Sequence, residues 1–557
     1  MDYICNISKR DYSEYKYTPY LEGLDNPHEH HLFNEDVFTY DNNKVIIKNS
    51  TIRTNKNIPG ILLLEGNKTF GRNKKKLFYK CKPHDSNLPF FLIPYEMPMG
   101  FNKNFKNKYI TFYFISWEER HPYGIISQNI GDVYNLPAFY EYQLYCKYLH
   151  DSISQSISHT KKSLKNNTPE YYENIILNNP NDYGSYKQYD NEYIFSIDPE
   201  GCLDKDDAIS IKKMDNNIII NVYIANVWVW LNVLDLWDLI GSRISTIYFP
   251  DFKRPMLPTI VGETLCSLEK NTNKFVFVME FHFSIINGKY LENTEKNTLN
   301  QGFVKISENY SYEEKRLLKN KSYKDLMKIT KQIDNNITNS HDVVEYWMLK
   351  MNERLAFIMR KQNIGIYRVV KSHNKNININ ETFPFIIKVL EQQISGKYVE
   401  ISQNENNIEH EVLGYSQYIH FTSPIRRMPD LLNQICWVYN TISPLNMNNK
   451  AIEFYKKHVS ELDVLNNKMK KIRRIQNDCH ILSTVFNEMS ILDKEYNGII
   501  VSIDDNKLNI YIEELQWLTT CITEDSSLSK YDKIKCSLFL FEKEDQMRRK
   551  IRVKILE

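Results

Sequence analysis

The 557-residue chain is poor in the residues that break or staple a fold. Glycine numbers 17 and proline 19, too few for a collagen-like or low-complexity chain. The nine cysteines are scattered, odd in number and never spaced C-x-x-C. That spacing excludes a disulfide framework and a zinc knuckle, and it points to a reducing, cytoplasmic setting. Long apolar runs are missing too. The most apolar stretch, 218 to 240, is interrupted by Asn221, Asn226, Asn232, Asp235 and Asp238, groups that would be costly in a bilayer. It reads as a buried strand followed by a helix, and no membrane partner is expected. Residues 1 to 20 are polar and aromatic rather than basic-then-apolar, so no secretory leader is expected. No internal repeat is visible. An excess of either charge is also missing: the net charge is +2 at pH 7. A neutral total does not exclude a basic channel, because the distribution of charge decides what binds.

What remains is an ordinary globular composition, 42% hydrophobic and 25% charged, so disorder is not the default. At roughly 100–200 residues per domain, three or four domains are expected. Residues 1–35 show no clear period and stay unassigned. Across 36–150 short β-type runs recur (45–47, 61–64, 77–81, 90–93, 109–115), separated by basic or Asn-rich turns. They suit a small barrel of the OB or cold-shock type, or else a small β-sandwich. Residues 151–189 are polar and read as a linker. The region 190–490 mixes strands and helices. Within it 341–361 is an amphipathic helix, with Val344, Trp347, Met348, Met351, Leu355 and Ile358 at spacings of three and four and Ser340 as its cap. A polar Asn/Lys loop covers 371–381. From 492 to 557 strands return, enough for a second small barrel. The fold class expected is multidomain α+β.

The sharpest feature is the run Ser196-Ile197-Asp198-Pro199-Glu200-Gly201-Cys202-Leu203-Asp204-Lys205-Asp206-Asp207-Ala208-Ile209-Ser210. Pro199 and Gly201 favour a turn after Asp198. In an extended segment Asp204 and Asp206 would share one face, and a bend could bring Asp198 and Asp207 to the same point. Converging carboxylates repel, which raises their pKa values unless a cation compensates. Hard oxygen ligands suit Mg²⁺ or Mn²⁺ rather than Zn²⁺. By itself a D-x-D-D run reads equally as a solvated acidic turn.

The wider context resembles the ribonuclease II/R, or RNB, family. That family's metal stretch reads approximately I-D-P-x-x-x-x-D-x-D-D-A-I-S, and all four acidic positions match. Ser245-Thr246-Ile247-Tyr248-Phe249-Pro250, Pro255-Met256-Leu257-Pro258 and Leu265-Cys266-Ser267-Leu268 resemble its Y-x-P…P-M-L-P…L-C-S-L block. His420-Phe421-Thr422-Ser423-Pro424-Ile425-Arg426-Arg427-Met428-Pro429-Asp430-Leu431 resembles its H-F-T-S-P-I-R-R-Y-x-D-L block. Glu345, Met348, Leu349 and Asn352 match a looser E-F-M-L-x-A-N block. Ser116-Trp117 and Pro122-Tyr123-Gly124 resemble the exosome-associated branch, here with too few preceding residues for that branch's endonuclease domain.

The resemblance implies an RNB catalytic domain flanked by OB-type barrels and a 3′-to-5′ exoribonuclease releasing 5′-mononucleotides from single-stranded RNA. It implies Asp198, Asp204, Asp206 and Asp207 as ligands of Mg²⁺ (or Mn²⁺), and Asp206 and Arg426 as catalytic. Tyr248 is implied as the aromatic that clamps the 3′ end, and Tyr367, in an I-Y-R-V run, as an RNA-lining residue. Arg427 is either an RNA contact or half of a structural ion pair with Asp430. The chain would act as a monomer or within an RNA-degrading assembly. The sequence departs from the pattern at Tyr223 and Asn226 (H-I-A-D-V in the family), at Gln434-Ile435 (a His-Arg pair), at Met428 (Tyr) and at Gln476 (an acid in bacterial members). These departures keep open a second reading, an inactive RNA-binding protein on the same scaffold. Basic runs at Lys74-Lys75-Lys76, Lys470-Lys471-Ile472-Arg473-Arg474 and Arg548-Arg549-Lys550 could follow a phosphate backbone.

Overall fold

The computed structural model describes residues 1–73, 76–96, 105–214, 216–241, 243–371, 396–401, 408–441, 449–523, 527–543 and 548–556. The Asn/Lys segment 372–381 and Lys74-Lys75 lie outside them. The unassigned N-terminal segment is folded. Strands Asp2–Ile7 and Tyr15–Thr18 join Val37–Asp41 and Lys44–Asn49 in a four-stranded antiparallel sheet. The alternating burial of Cys5, Ile7 and Phe38 supplies its inner face. The region 36–150 therefore divides. Its first two strands belong to that sheet, and the strands from Ile58–Leu62 to Tyr123–Asp132 form a separate six-stranded one.

That second sheet closes on itself, because Ile58–Leu62 pairs with both Lys108–Ser116 and Lys76–Pro83. Closure leaves no room for a side chain at Gly60. A Cβ there would lie 2.7 Å from Cys81 Sγ and 2.9 Å from the Phe112 ring.

Residues 151–189, expected to be a polar linker, are mostly helical instead: Ser154–Asn166, Pro169–Asn178 and Pro180–Tyr183. Their few inward positions, Ser156, Thr160, Tyr172 and Ile176, are buried, so a sparse stripe was enough to dock them.

The central domain is built on an eight-stranded sheet. In order it runs Lys187–Gln188, Thr298–Lys305, Asn273–Ile286, Asn217–Ala225, Asp207–Met214, Phe195–Asp198 and Glu308–Ser311, with Lys289–Glu292 hairpinned onto Asn273–Ile286. The apolar stretch from 218 supplies the strand Asn217–Ala225 and the helix Val227–Val233. The helix Ser340–Lys361 lays Val343, Val344, Trp347, Met351, Leu355 and Met359 on the core, with Trp347 against Phe281 and Phe283. Its cap is Asn339 rather than Ser340: Asn339 and Asp342 form a reciprocal capping box. The Ser340 hydroxyl instead donates to Glu313 (2.6 Å).

A five-stranded sheet, in the order Trp517–Ile522, Lys507–Ile512, Glu495–Asp504, Lys533–Lys543 and Arg548–Ile555, ends the chain. The largest hydrophobic cluster is continuous from Ile61 and Tyr109 through the central domain to Ile510 and Val553. No helix among the described residues is long and apolar enough to cross a membrane.

Replacing Asn339 by Ala removes one side of the capping box and should cost about 1 kcal/mol of stability. Urea unfolding should show a lower midpoint at an unchanged slope. An unchanged midpoint would mean that packing of Trp347 alone holds the helix.

Candidate active site

Strand Phe195–Asp198 pairs with Asp207–Met214 through Phe195 and Ile209. The hairpin between them thus delivers Asp198 and Asp207 to the same end of the sheet. The turn forms where Pro199 and Gly201 stand: the Cys202 N–H donates to the Pro199 carbonyl (3.1 Å), and Gly201 takes φ +75°. Residues 202–206 are loop rather than strand, and Asp204 and Asp206 take different partners. Asp204 accepts from Lys253 Nζ (2.7 Å). Asp206, 3% exposed, turns inward. Its Oδ1 accepts the Ile425 N–H (2.9 Å) and its Oδ2 accepts Arg426 Nε–H (2.9 Å).

The motif blocks from residue 196 onward meet here. The Lys205 N–H donates to Ser267 Oγ (3.0 Å), and the Leu268 N–H donates to the Lys205 carbonyl (3.0 Å). The Arg426 carbonyl accepts the Thr246 N–H and the Ser245 hydroxyl, both at 3.0 Å. Asn352, on the long helix, accepts the Phe421 N–H (2.9 Å) and donates to Tyr418 and Thr422. Asp430 accepts the Ser423 N–H (2.8 Å) at the head of helix Met428–Thr441.

Burial pushes the Asp198 carboxyl up to about 6, with Asp204 adding to it and Ser196, Lys205 and Arg426 opposing. Burial raises Asp207 well above the carboxylate range, and the charges of Asp198 and Asp206 raise it further. Burial likewise pushes Asp206 up to about 7, against the pull of Arg426 and the Ile425 N–H.

Among the described residues no three His, Cys, Asp or Glu side chains are gathered closely enough to enclose a metal ion. The donors nonetheless suit one. Asp198 Oδ2 is buried without a hydrogen-bond partner among the described residues, and Asp207 lies under the charges of two other carboxylates. An all-oxygen pair of this kind, with one oxygen unpartnered, fits a hard divalent cation. Asp204 and Asp206 are already held by cationic side chains.

The other expected residues separate. Tyr248 is 43% exposed. Its hydroxyl is raised to about 12 by burial and then by Asp204, with Arg426 and Lys253 also close enough to act on it. Its N–H donates to Gln476 Oε1 (3.0 Å). Tyr367 is fully buried, and its hydroxyl donates to the Ala356 and Ile364 carbonyls. It has no face to offer a strand, so its expected RNA-lining role is corrected. Arg427 donates to Asp430 (2.8 Å), the structural ion pair of the two readings.

The sequence did not single out Lys253, which also pairs with Glu263 (2.8 Å). Nor did it single out Tyr312, stacked on His341 with centroids 3.6 Å apart and raised by burial and then by Asp207 and Asp198. No local motif announces either residue. The basic run on helix Leu462–Asn487 faces the last barrel. Lys470, Arg473 and Arg474 there share a cavity of about 480 Å³ with Lys507, Lys550 and Arg552.

The RNB domain family matches residues 186–335 and 317–437. The chain contains an RNB domain. Ribonuclease R of Mycoplasmopsis pulmonis is 27% identical over 324 residues, 45% of this chain and 44% of that protein. DIS3-like exonuclease 2 of Schizosaccharomyces pombe is 22% identical over 522 residues, 75% of this chain and 53% of that protein. The chain thus matches about half the length of these relatives. Mycoplasma genitalium RNase R, solved with ribose-methylated single-stranded RNA, superposes with a TM-score of 0.67 at 16% identity, covering 100% of both chains. The fold is therefore that of RNase R, an RNB domain with OB-type barrels to either side. Yeast Ssd1, described as a pseudonuclease, also shares the fold (TM-score 0.52, 12% identity, 96% of this chain and 80% of that one). Fold alone does not carry activity.

The Asp198 shift has a consequence for stability. Its folded value of about 6 lies above the unfolded value of about 4. The folded chain keeps a proton that the unfolded chain releases. The contribution to stability is full below about pH 4 and is lost as pH rises through about 6. Metal-free protein should therefore lose melting temperature between about pH 4 and pH 6 relative to Asp198→Asn, and Mg²⁺ should narrow the gap. Thermal scans of both proteins check this; a wild type that gains on the variant as pH rises would contradict the buried, uncompensated carboxylate.

Proposed function

We propose that the chain is a 3′-to-5′ exoribonuclease that hydrolyses single-stranded RNA to 5′-mononucleotides with a divalent metal, Mg²⁺ or Mn²⁺. The observation that carries this reading is the contact of Asp206 with Ile425 and Arg426, which joins the acidic and arginine blocks beside Asp198 and Asp207. Asp198 and Asp207 would hold the cation, which supplies Lewis-acid polarisation of the scissile phosphate when bound. Arg426 is 43% exposed and engages only its Nε among the described residues, so its outer nitrogens can hold phosphate oxygens. Asp206 fixes the direction of that guanidinium. Tyr248, half-exposed at the site and fixed by Gln476, is suited to stack on the 3′-terminal base. The cavity between helix Leu462–Asn487 and the last barrel supports a role in holding the phosphate backbone. Eight buried free cysteines and a half-buried Cys202 support a reducing, cytoplasmic setting.

The second reading, an inactive RNA-binding protein, draws on the likeness to Ssd1 and on the departures at Asn226 and Gln434. Retention of all four aspartates weighs against it.

The deciding experiment is single-turnover cleavage of a single-stranded RNA. Wild type should cut with Mg²⁺, stop on chelation and recover when the metal returns. Asp206→Asn should not cut, yet should retain RNA in filter binding, since the barrels are untouched. Cleavage that survives chelation or the substitution would overturn the proposal. Arg426→Lys keeps the charge but loses the fork, and should slow the chemical step by roughly 10²–10³. If affinity falls instead while the maximal rate holds, Arg426 is a binding residue.

A further inference from the structure

Between the N-terminal sheet and the first barrel lies a cleft of about 790 Å³ that shares no residue with the carboxylate site. Arg10 and His28 line it from one side, and Lys80, Phe90, Arg120 and His121 from the other. Lys9 in this cleft is paired with Glu14, but not every cation is so compensated. Lys80 is half-buried over the rings of Phe70 (4.8 Å) and Phe90 (5.3 Å). Neither Lys80 nor Arg120 meets a carboxylate among the described residues. Arg10 spends its guanidinium on the carbonyls of Leu88, Pro83 and Asp85 at 2.7 to 3.0 Å, with the Asp85 carboxylate also near enough to act on its charge. Of the two acids in the cleft, Asp11 is turned onto Ser13 and Glu29 is exposed. His121 Nδ1 is buried without a hydrogen-bond partner among the described residues. Burial and the charges of Lys80, Arg120 and His28 hold that imidazole down to about 4.

We propose that this cleft binds a phosphate monoester, the dianionic phosphate of a free nucleotide or of an RNA 5′ end. A half-buried Lys80 beside an exposed Arg120 and an unpaired imidazole gains when an anion joins them. Charge sets the class. A monoester carries close to two charges at neutral pH, matching Lys80 and Arg120, whereas a diester in the middle of a strand carries one. The bound phosphate also gives the His121 ring a partner. The Phe90 ring is already covered by Arg10 (5.2 Å) and Lys80 (5.3 Å), so the site reads the phosphate rather than the base.

The test is calorimetric titration of the full chain with AMP, with inorganic phosphate and with cyclic AMP, which keeps the base but has only a diester. AMP and phosphate should bind, and cyclic AMP should bind at least about tenfold more weakly. The double variant Lys80→Met/Arg120→Gln should lose at least about tenfold in AMP affinity. Arg120→Gln alone, at an exposed position, guards against a folding defect and should show part of that loss. By NMR, AMP should raise the proton affinity of His121, assigned with His121→Gln. Unchanged AMP binding in both variants, equal binding of cyclic AMP, or an unmoved His121 would each overturn the proposal. Competition then separates the sources. Displacement of AMP by a 5′-phosphorylated oligoribonucleotide, but not by its 5′-hydroxyl form, assigns the site to RNA ends. Displacement by neither assigns it to free nucleotides, and equal displacement by both contradicts a monoester site.

Discussion

The carboxylate of Asp206 is the contact around which the central domain is arranged. It is 3% exposed, and its two oxygens are taken by the Ile425 N–H and by Arg426, some 220 residues away in sequence. Taking a carboxylate out of water costs several kcal/mol unless its partners are well placed. Asp206 therefore tolerates little freedom in the loop that carries Arg426. That loop is fixed from behind as well, by Asn352 at Phe421 and by Asp430 at Ser423. It fixes its neighbour in turn, since the Arg426 carbonyl takes the Thr246 N–H and so sets the start of the Ile247–Tyr248 strand. One buried ion pair thus sets the relative positions of the acidic loop, the arginine and the exposed tyrosine.

The departures from the family pattern form a self-consistent set. Asn226, in place of the usual aspartate, accepts the Val229 N–H and caps helix Val227–Val233. Gln434, in place of the usual histidine, accepts the Val227 N–H (3.2 Å) and donates to the Ala225 carbonyl (2.8 Å). The Gln434 amide satisfies backbone groups on both sides that would otherwise be buried and unpaired, whereas Asn226 Nδ2 is buried without a partner among the described residues. Tyr223 donates to Glu192 (2.8 Å) in a buried network with Ser210 and Asn221. Met428 is fully buried. These changes alter how the scaffold is held behind the site and leave the four aspartates and Arg426 in place.

The parts of this arrangement that were legible in the sequence are those written locally. The turn after Asp198 follows from Pro199 and Gly201, and the helix over Trp347 follows from its spacing. The order of the blocks carries the domain. What depends on long-range packing was not legible. Tyr367 stands in an RNA-lining type of run, yet its strand, Ile366–Val369, lies wholly in the core. Asp204 and Asp206 have the spacing of strand residues, but their segment is loop, and Lys253 and the Ile425 N–H are partners that lie far away in sequence. The helices at 154–178 present too few apolar residues for a periodic signal, and the partners on which they dock lie elsewhere in the chain. Asn339 displaced Ser340 as cap because Glu313, distant in sequence, claims the serine hydroxyl.

The cations nearest the acidic site are already committed. Lys253 is held between Asp204 and Glu263, and Lys205 donates to Glu269 and to the Cys202 carbonyl. Arg426 keeps outer nitrogens to offer, but it also serves Asp206. A pocket with several carboxylates and one half-available guanidinium repels a polyanion unless positive charge is supplied elsewhere along the strand's path. The structure concentrates such charge on helix Leu462–Asn487 and the facing barrel. There Arg473 keeps two buried nitrogens without hydrogen-bond partners among the described residues, and burial and Arg368 depress it to about 10. Lys507 is lowered by burial and then by Arg474 and Lys550, with Asp504 and Asp478 opposing. Like charges crowded to this extent raise the free energy of the empty groove, and a phosphate backbone lowers it again. A net charge of +2 thus conceals an uneven distribution, with carboxylates gathered at the end of the central sheet and cations in excess over Asp478 and Asp504 in the groove.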